Sequence, residues 1–91
     1  MNAWKPAFSR DAMTETKRFD VFLDARGLDC PLPLIKARQA LMVVDSGATI
    51  CVLSTDPGSK GDFDRFCEAT GHQLLSVEEK EEVLILVVRK A

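Results

Sequence analysis

Two prolines two residues apart, Pro31 and Pro33, constrain this chain more than any other feature in it. Proline lacks a backbone N–H, and its ring clashes with the preceding turn inside a helix. A pair this close therefore fits a first helical turn, where the N–H groups have no intrahelical partner anyway. An apolar periodicity follows at once: Leu34, Ala37, Leu41 and Val44 recur at helical spacing, the signature of one buried stripe. Lys36, Gln39 and Val43 fall on another face. A helix is thus predicted from Cys30-Pro31-Leu32-Pro33, with Pro31 at the first helical position, to about Val44. Asp45-Ser46-Gly47 ends it, with Gly47 as a left-handed cap.

The rest of the chain alternates around this helix. Residues 19–25 (FDVFLDA) read as a strand with Val21 and Leu23 on one face and Phe22 on the other, followed by a loop in which Gly27 is free to take positive φ. Residues 48–55 (ATICVLST) form a second strand. A second helix follows, its start capped either by Asp56 with Pro57 at the first position or by Ser59 with Asp62 three residues on. Phe63, Phe66, Cys67 and Thr70 carry its stripe, and Gly71 stops it. Residues 72–77 are a third strand, residues 78–82 a charged turn, and residues 83–89 a fourth strand. The order βαβαββ predicts an α/β two-layer sandwich: a mixed four-stranded sheet with both helices on one face. Residues 83–88 (VLILVV) are apolar at every position, whereas a half-solvated strand alternates. That strand is either central and sparsely wetted or covered on its far face.

Composition narrows the function. The 91 residues, 46% hydrophobic and 29% charged, suit a single small domain. We expect it over residues 19–91, preceded by a mobile extension over residues 1–18. A net charge of −2 leaves no basic footprint for direct nucleic-acid binding. No apolar run reaches the length of a membrane span, and the N-terminus lacks a signal-like apolar core, so a cytoplasmic location is expected. The cysteines Cys30, Cys51 and Cys67 are odd in number and lack any CxxC spacing, which argues against a disulfide framework or a zinc knuckle. No metal and no cofactor are expected.

Cys30 is the residue positioned for chemistry. It precedes a helix start stiffened by two prolines, beside the positive end of the helix dipole, which favours a thiolate. The prolines remove donors that would meet an anion, and the neighbouring Asp29 raises the thiol pKa if it turns toward the sulfur. Arg26, Lys36 and Arg38 push the other way, so the net direction stays open. No resolving cysteine lies nearby, and the one histidine, His72, is too distant in sequence for a Cys–His pair. A thiol without such helpers suits a carrier that accepts a group and passes it on.

The segment Leu23-Asp24-Ala25-Arg26-Gly27-Leu28-Asp29-Cys30-Pro31-Leu32-Pro33 resembles the L-D-x-x-G-L-x-C-P-x-P signature of the TusA/SirA family of sulfur-carrier proteins. Arg38, Asp56-Pro57 and Phe66-Cys67 resemble further positions of that family, and the likeness spans about residues 19–90. It implies a βαβαββ fold and a persulfide carried on Cys30. It implies loop-shaping roles for Asp24, Gly27, Pro31 and Pro33. It also implies a cysteine desulfurase or rhodanese as sulfur donor and a downstream relay protein as acceptor. The uses in the family include tRNA 2-thiouridine formation, molybdenum-cofactor pathways and sulfur oxidation. Arg26, Lys36 and Arg38 are candidates for steering a partner. The competing reading is an interaction module that docks a partner on the open sheet face and never loads Cys30. A third is a redox switch between Cys30 and Cys67. Cys67 and Cys51 otherwise read as packing residues, His72 as surface or capping, and the acidic run as a solvated turn.

Overall fold

The computed structural model describes residues 19–91; the extension expected over residues 1–18 lies outside the described residues. The elements are β1 (Val21–Ala25), α1 (Leu32–Val43), β2 (Thr49–Ser54), α2 (Ser59–Thr70), β3 (Gln73–Lys80) and β4 (Val83–Arg89). They form one mixed sheet in the order β1-β2-β4-β3. β1 and β2 are parallel, with Val21 opposite Ile50 and Ala25 opposite Ser54. β4 runs antiparallel to both β2 and β3. The expected α+β architecture is therefore present.

Side chains alternate across the sheet. Ala25, Ile50, Val52, Leu84, Leu86 and Val88 point toward the helices and join Ala37 and Leu41 of α1 and Phe63 and Cys67 of α2 in one core. β4 is the apolar strand, and it is central, between β2 and β3. On its other face Val87 stands opposite Cys51, and both are buried, whereas Phe22 at the β1 edge is 60% exposed. A central position flanked by two strands accounts for a strand with no polar alternation.

Four local readings change. Helix α1 begins at Leu32, so Pro31 takes the N-cap and Pro33 lies inside the first turn; the two prolines still share the turn that needs no donors, but one position earlier. Gly47 does not cap α1. The helix ends at Val43 with Val44 extended, and Gly47, at φ 89°, sits in a turn closed by the Ala48 N–H on the Asp45 carbonyl. Neither expected cap starts α2: Gly58 occupies the N-cap. Ser59 turns inward, where its hydroxyl meets that of Ser54 at 2.6 Å, both residues being buried. The charged turn shrinks to Glu81-Glu82, both at positive φ, because β3 extends to Lys80, paired with Val83. That is the geometry of a two-residue hairpin connection, built here without the usual Asn or Gly. Gly71 does end α2, at φ 87°, with its N–H on the Cys67 carbonyl.

Candidate functional site

The site follows from the parallel pair. β1 and β2 finish side by side, Ala25 opposite Ser54, so the loops leading into α1 and α2 leave the same edge of the sheet. In open α/β sheets this edge, at the carboxyl ends of parallel strands, is where ligands and reactive groups collect.

Each loop is tied internally and to the other. The Leu28 N–H returns to the Ala25 carbonyl at 3.2 Å, with Gly27 at φ 84°, a value that favours glycine. The Gly27 N–H donates to Thr55 Oγ1 at 2.9 Å. Asp24 Oδ1 accepts the Arg26 N–H at 3.2 Å, and its carboxylate is gripped by Arg26 Nε and Nη2 at 2.8 and 2.7 Å. In the second loop Asp56 Oδ1 accepts the Gly58 N–H at 2.8 Å, and the Asp56 N–H donates to the buried Ser54 Oγ at 3.1 Å. Asp56 Oδ2 then accepts the Cys30 N–H, which joins the two loops at the cysteine itself.

The Arg26 fork holds the Asp24 carboxyl down to about 2. A carboxyl depressed in the folded state stabilises fully above its ordinary value, and the effect fades as pH falls through the lowered one. The Asp24 carboxyl resonance should therefore titrate with a midpoint near 2, and return toward the ordinary aspartate value of about 4 in Arg26→Ala. A midpoint that stays put on losing Arg26 would show that the fork does not form in solution.

Cys30 is exposed, while Cys51 and Cys67 are buried. Its thiol donates to Asp62 Oδ2, on the first turn of α2. Asp62 Oδ1 is in turn held by Arg65 Nη2 at 2.7 Å, one turn along the same helix. The direction left open by the sequence is thereby set. The Asp62 carboxylate, followed by partial desolvation and the charge of Asp56, pushes the Cys30 thiol up, and Arg65 offsets part of this. The neighbour that matters is thus not Asp29, and the cation acting on the sulfur is Arg65 rather than Arg26, Lys36 or Arg38. Arg26 is engaged with Asp24, whereas Lys36 and Arg38 are exposed on α1. Burial pushes the other two thiols up as well, with Asp64 adding to the effect at Cys67. Pro31 and Pro33 carry the chain from Cys30 into α1: Pro33 is buried, Pro31 exposed, and the Cys30–Pro31 peptide bond is cis.

Asp62 and Arg65 escaped the sequence reading. Asp62 there is a capping partner for Ser59, and nothing local links it to a cysteine 32 residues away. The available signal was topological: a parallel βαβ unit brings its two strand-to-helix loops together, so the first turn of α2 belongs beside Cys30.

Comparison with known proteins shows which chains and folds this one is similar to. The family model described as Sulfurtransferase TusA matches residues 21–90. A Neisseria meningitidis protein, provisionally named a sulfur carrier protein, is 48% identical over 67 residues, covering 74% of this chain and 90% of that one. The sulfur carrier protein TusA of Allochromatium vinosum is 41% identical over 73 residues, covering 80% of this chain and 96% of its own. The crystal structure of a SirA-like protein from Desulfitobacterium hafniense superposes with a TM-score of 0.68 at 28% identity, covering 76% of this chain and 95% of that one.

Proposed function

The chain belongs to the TusA sulfurtransferase family, a family of sulfur carriers, and from that premise we propose that it carries sulfur as a persulfide on Cys30. The observation that supports this most is the contrast among its cysteines: Cys30 alone is exposed, at a loop junction pinned by Asp56 and Asp62. A carrier needs a thiol that partners can reach and a scaffold that does not move when they do. The prolines and the two carboxylates supply the second requirement.

A donor persulfide, presented by a cysteine desulfurase or a rhodanese, gives its outer sulfur to Cys30, and a downstream relay protein takes it away. Both exchanges belong to the cytoplasm, where thiols stay reduced. No described helix is long and apolar enough to cross a membrane. Leu32 and Ile35, exposed on α1 close after the cysteine, give partners an apolar contact beside it. Lys36 and Arg38 on the same helix steer acidic partner surfaces. Asp24 and Gly27 keep the first loop in shape.

The test is intact-protein mass after incubation with a cysteine desulfurase and free cysteine, without reductant. The expected result is a reductant-sensitive gain of one sulfur atom, mapped to Cys30 by peptide analysis. A rhodanese with thiosulfate is the second donor arm. No gain from either donor, with both shown active on a control carrier, would favour a partner-binding module whose thiol is idle.

A further inference from the structure

The Cys30 thiol has a definite hydrogen-bond partner in this fold. The thiol donates to Asp62 Oδ2, and Arg65 holds the other oxygen of the same carboxylate at 2.7 Å. The Asp62 side chain is only 15% exposed, whereas that of Arg65 is 73% exposed. One carboxylate oxygen thus faces the sulfur and the other is fixed to a cation, so the group cannot rotate freely away from Cys30. The charged groups bearing on the sulfur come from two elements: Asp62 and Arg65 from α2, and Asp56 from the loop before it.

Resting on the carrier reading above, we propose that Asp62 is a catalytic residue which takes the Cys30 proton when the cysteine is loaded and returns one when the sulfur is handed on. In loading, Cys30 Sγ attacks the outer sulfur of a donor persulfide. The S–H proton passes to Asp62 Oδ2 and on to solvent, and a bond forms between Sγ and the outer sulfur. The donor S–S bond breaks, and the donor sulfur leaves as a thiolate with the bonding pair. In discharge an acceptor thiolate attacks that outer sulfur. The Sγ–S bond breaks with its pair on Sγ, and a proton from solvent passes through the Asp62 carboxylate to Sγ. Summed, one outer sulfur moves from donor to acceptor, the carboxylate is regenerated, and no oxidant or reductant is consumed.

The surroundings make this help necessary. The acidic groups push the thiol up, so Cys30 is a poor spontaneous nucleophile at neutral pH and a poor leaving group without a proton. A proton acceptor in hydrogen-bond contact answers both problems. Removing its charge should therefore split two rates that a merely structural residue would move together.

The experiment compares the full-length parent, Asp62→Asn and Asp62→Glu. Each protein is loaded with glutathione persulfide, then discharged to N-acetylcysteine at neutral pH and followed by intact mass. In parallel, iodoacetamide alkylation reports the thiolate directly across pH. In Asp62→Asn, alkylation at neutral pH is expected to speed up roughly several-fold because the raising charge is gone. Discharge is expected to slow by about a hundredfold or more, within the range lost with a general acid. Asp62→Glu should recover most of the discharge rate. Discharge at the parental rate in Asp62→Asn, whatever the alkylation rate, would overturn the proposal. If the parent itself gains no sulfur, the carrier reading falls first and the proposal falls with it.

Discussion

The Cys30→Ser protein is expected to gain no sulfur from any persulfide donor, while Cys51→Ala and Cys67→Ala load as fully as the parent. A serine hydroxyl is close to a thiol in shape and can still donate to Asp62, so loop geometry should survive. It cannot form the sulfur–sulfur bond that defines the carrier state. The position is exposed, so no core is disturbed. The other two cysteines are placed for packing: Cys51 is 2% and Cys67 6% exposed, and burial pushes both thiols up. They lack both access and thiolate. Their truncation should cost about 1–2 kcal/mol of stability without touching loading. Intact mass of the three variants after one donor incubation decides the matter. Sulfur on the Cys30→Ser protein would locate the chemistry elsewhere and end the present assignment.

The second large effect is on stability. Phe63 is fully buried in the core shared by the sheet and both helices, and it heads the largest buried side chains. Truncating a buried Phe to alanine removes its transfer energy and leaves a cavity the surroundings fill only in part, at a cost of about 3–5 kcal/mol. A domain of this size has roughly 5–10 kcal/mol in all. Phe63→Ala should thus lose a third of its stability or more, seen as an earlier urea midpoint with an unchanged slope. Phe63 directly follows Asp62 on α2, so a poorly seated helix also displaces the carboxylate from the thiol. A loss under about 1 kcal/mol would mean that α2 is not anchored through this ring.

The sequence carried the architecture well and the local chemistry less well. Proline placement, helical stripes and the two strand–helix units led to the sheet and its two helices, because these signals are written in residues a few positions apart. The tight turn at Glu81-Glu82 is not legible in the sequence, because glutamates at positive φ are not what a tight hairpin usually contains. The start of α2 is hidden in the sequence because Ser59, a good capping residue, serves instead as a buried partner of Ser54. Cys30 itself was legible as a helix-start thiol and through the family signature. Its electrostatics were not, since the charges that act on it most lie in the second loop and on α2. Charges counted along the chain pointed to Arg26, Lys36 and Arg38. The fold brings Asp62, Asp56 and Arg65 to the sulfur instead.

That origin bears on how the protein comes to be made. The β3–β4 hairpin pairs residues close in sequence, Lys80 with Val83 at its tip, and such local contacts close early. The thiol–carboxylate contact spans 32 residues and the Cys30–Asp56 contact 26, and both await the parallel pairing of β1 with β2, a slow kind of closure. Until then Cys30 is an ordinary, unrestrained thiol. Fraying of β1, which among the described strands pairs on one side, returns it to that condition. Newly synthesised or heat-stressed chains should therefore be the ones that collect adventitious alkylation and mixed disulfides at this residue, while the mature pool resists them.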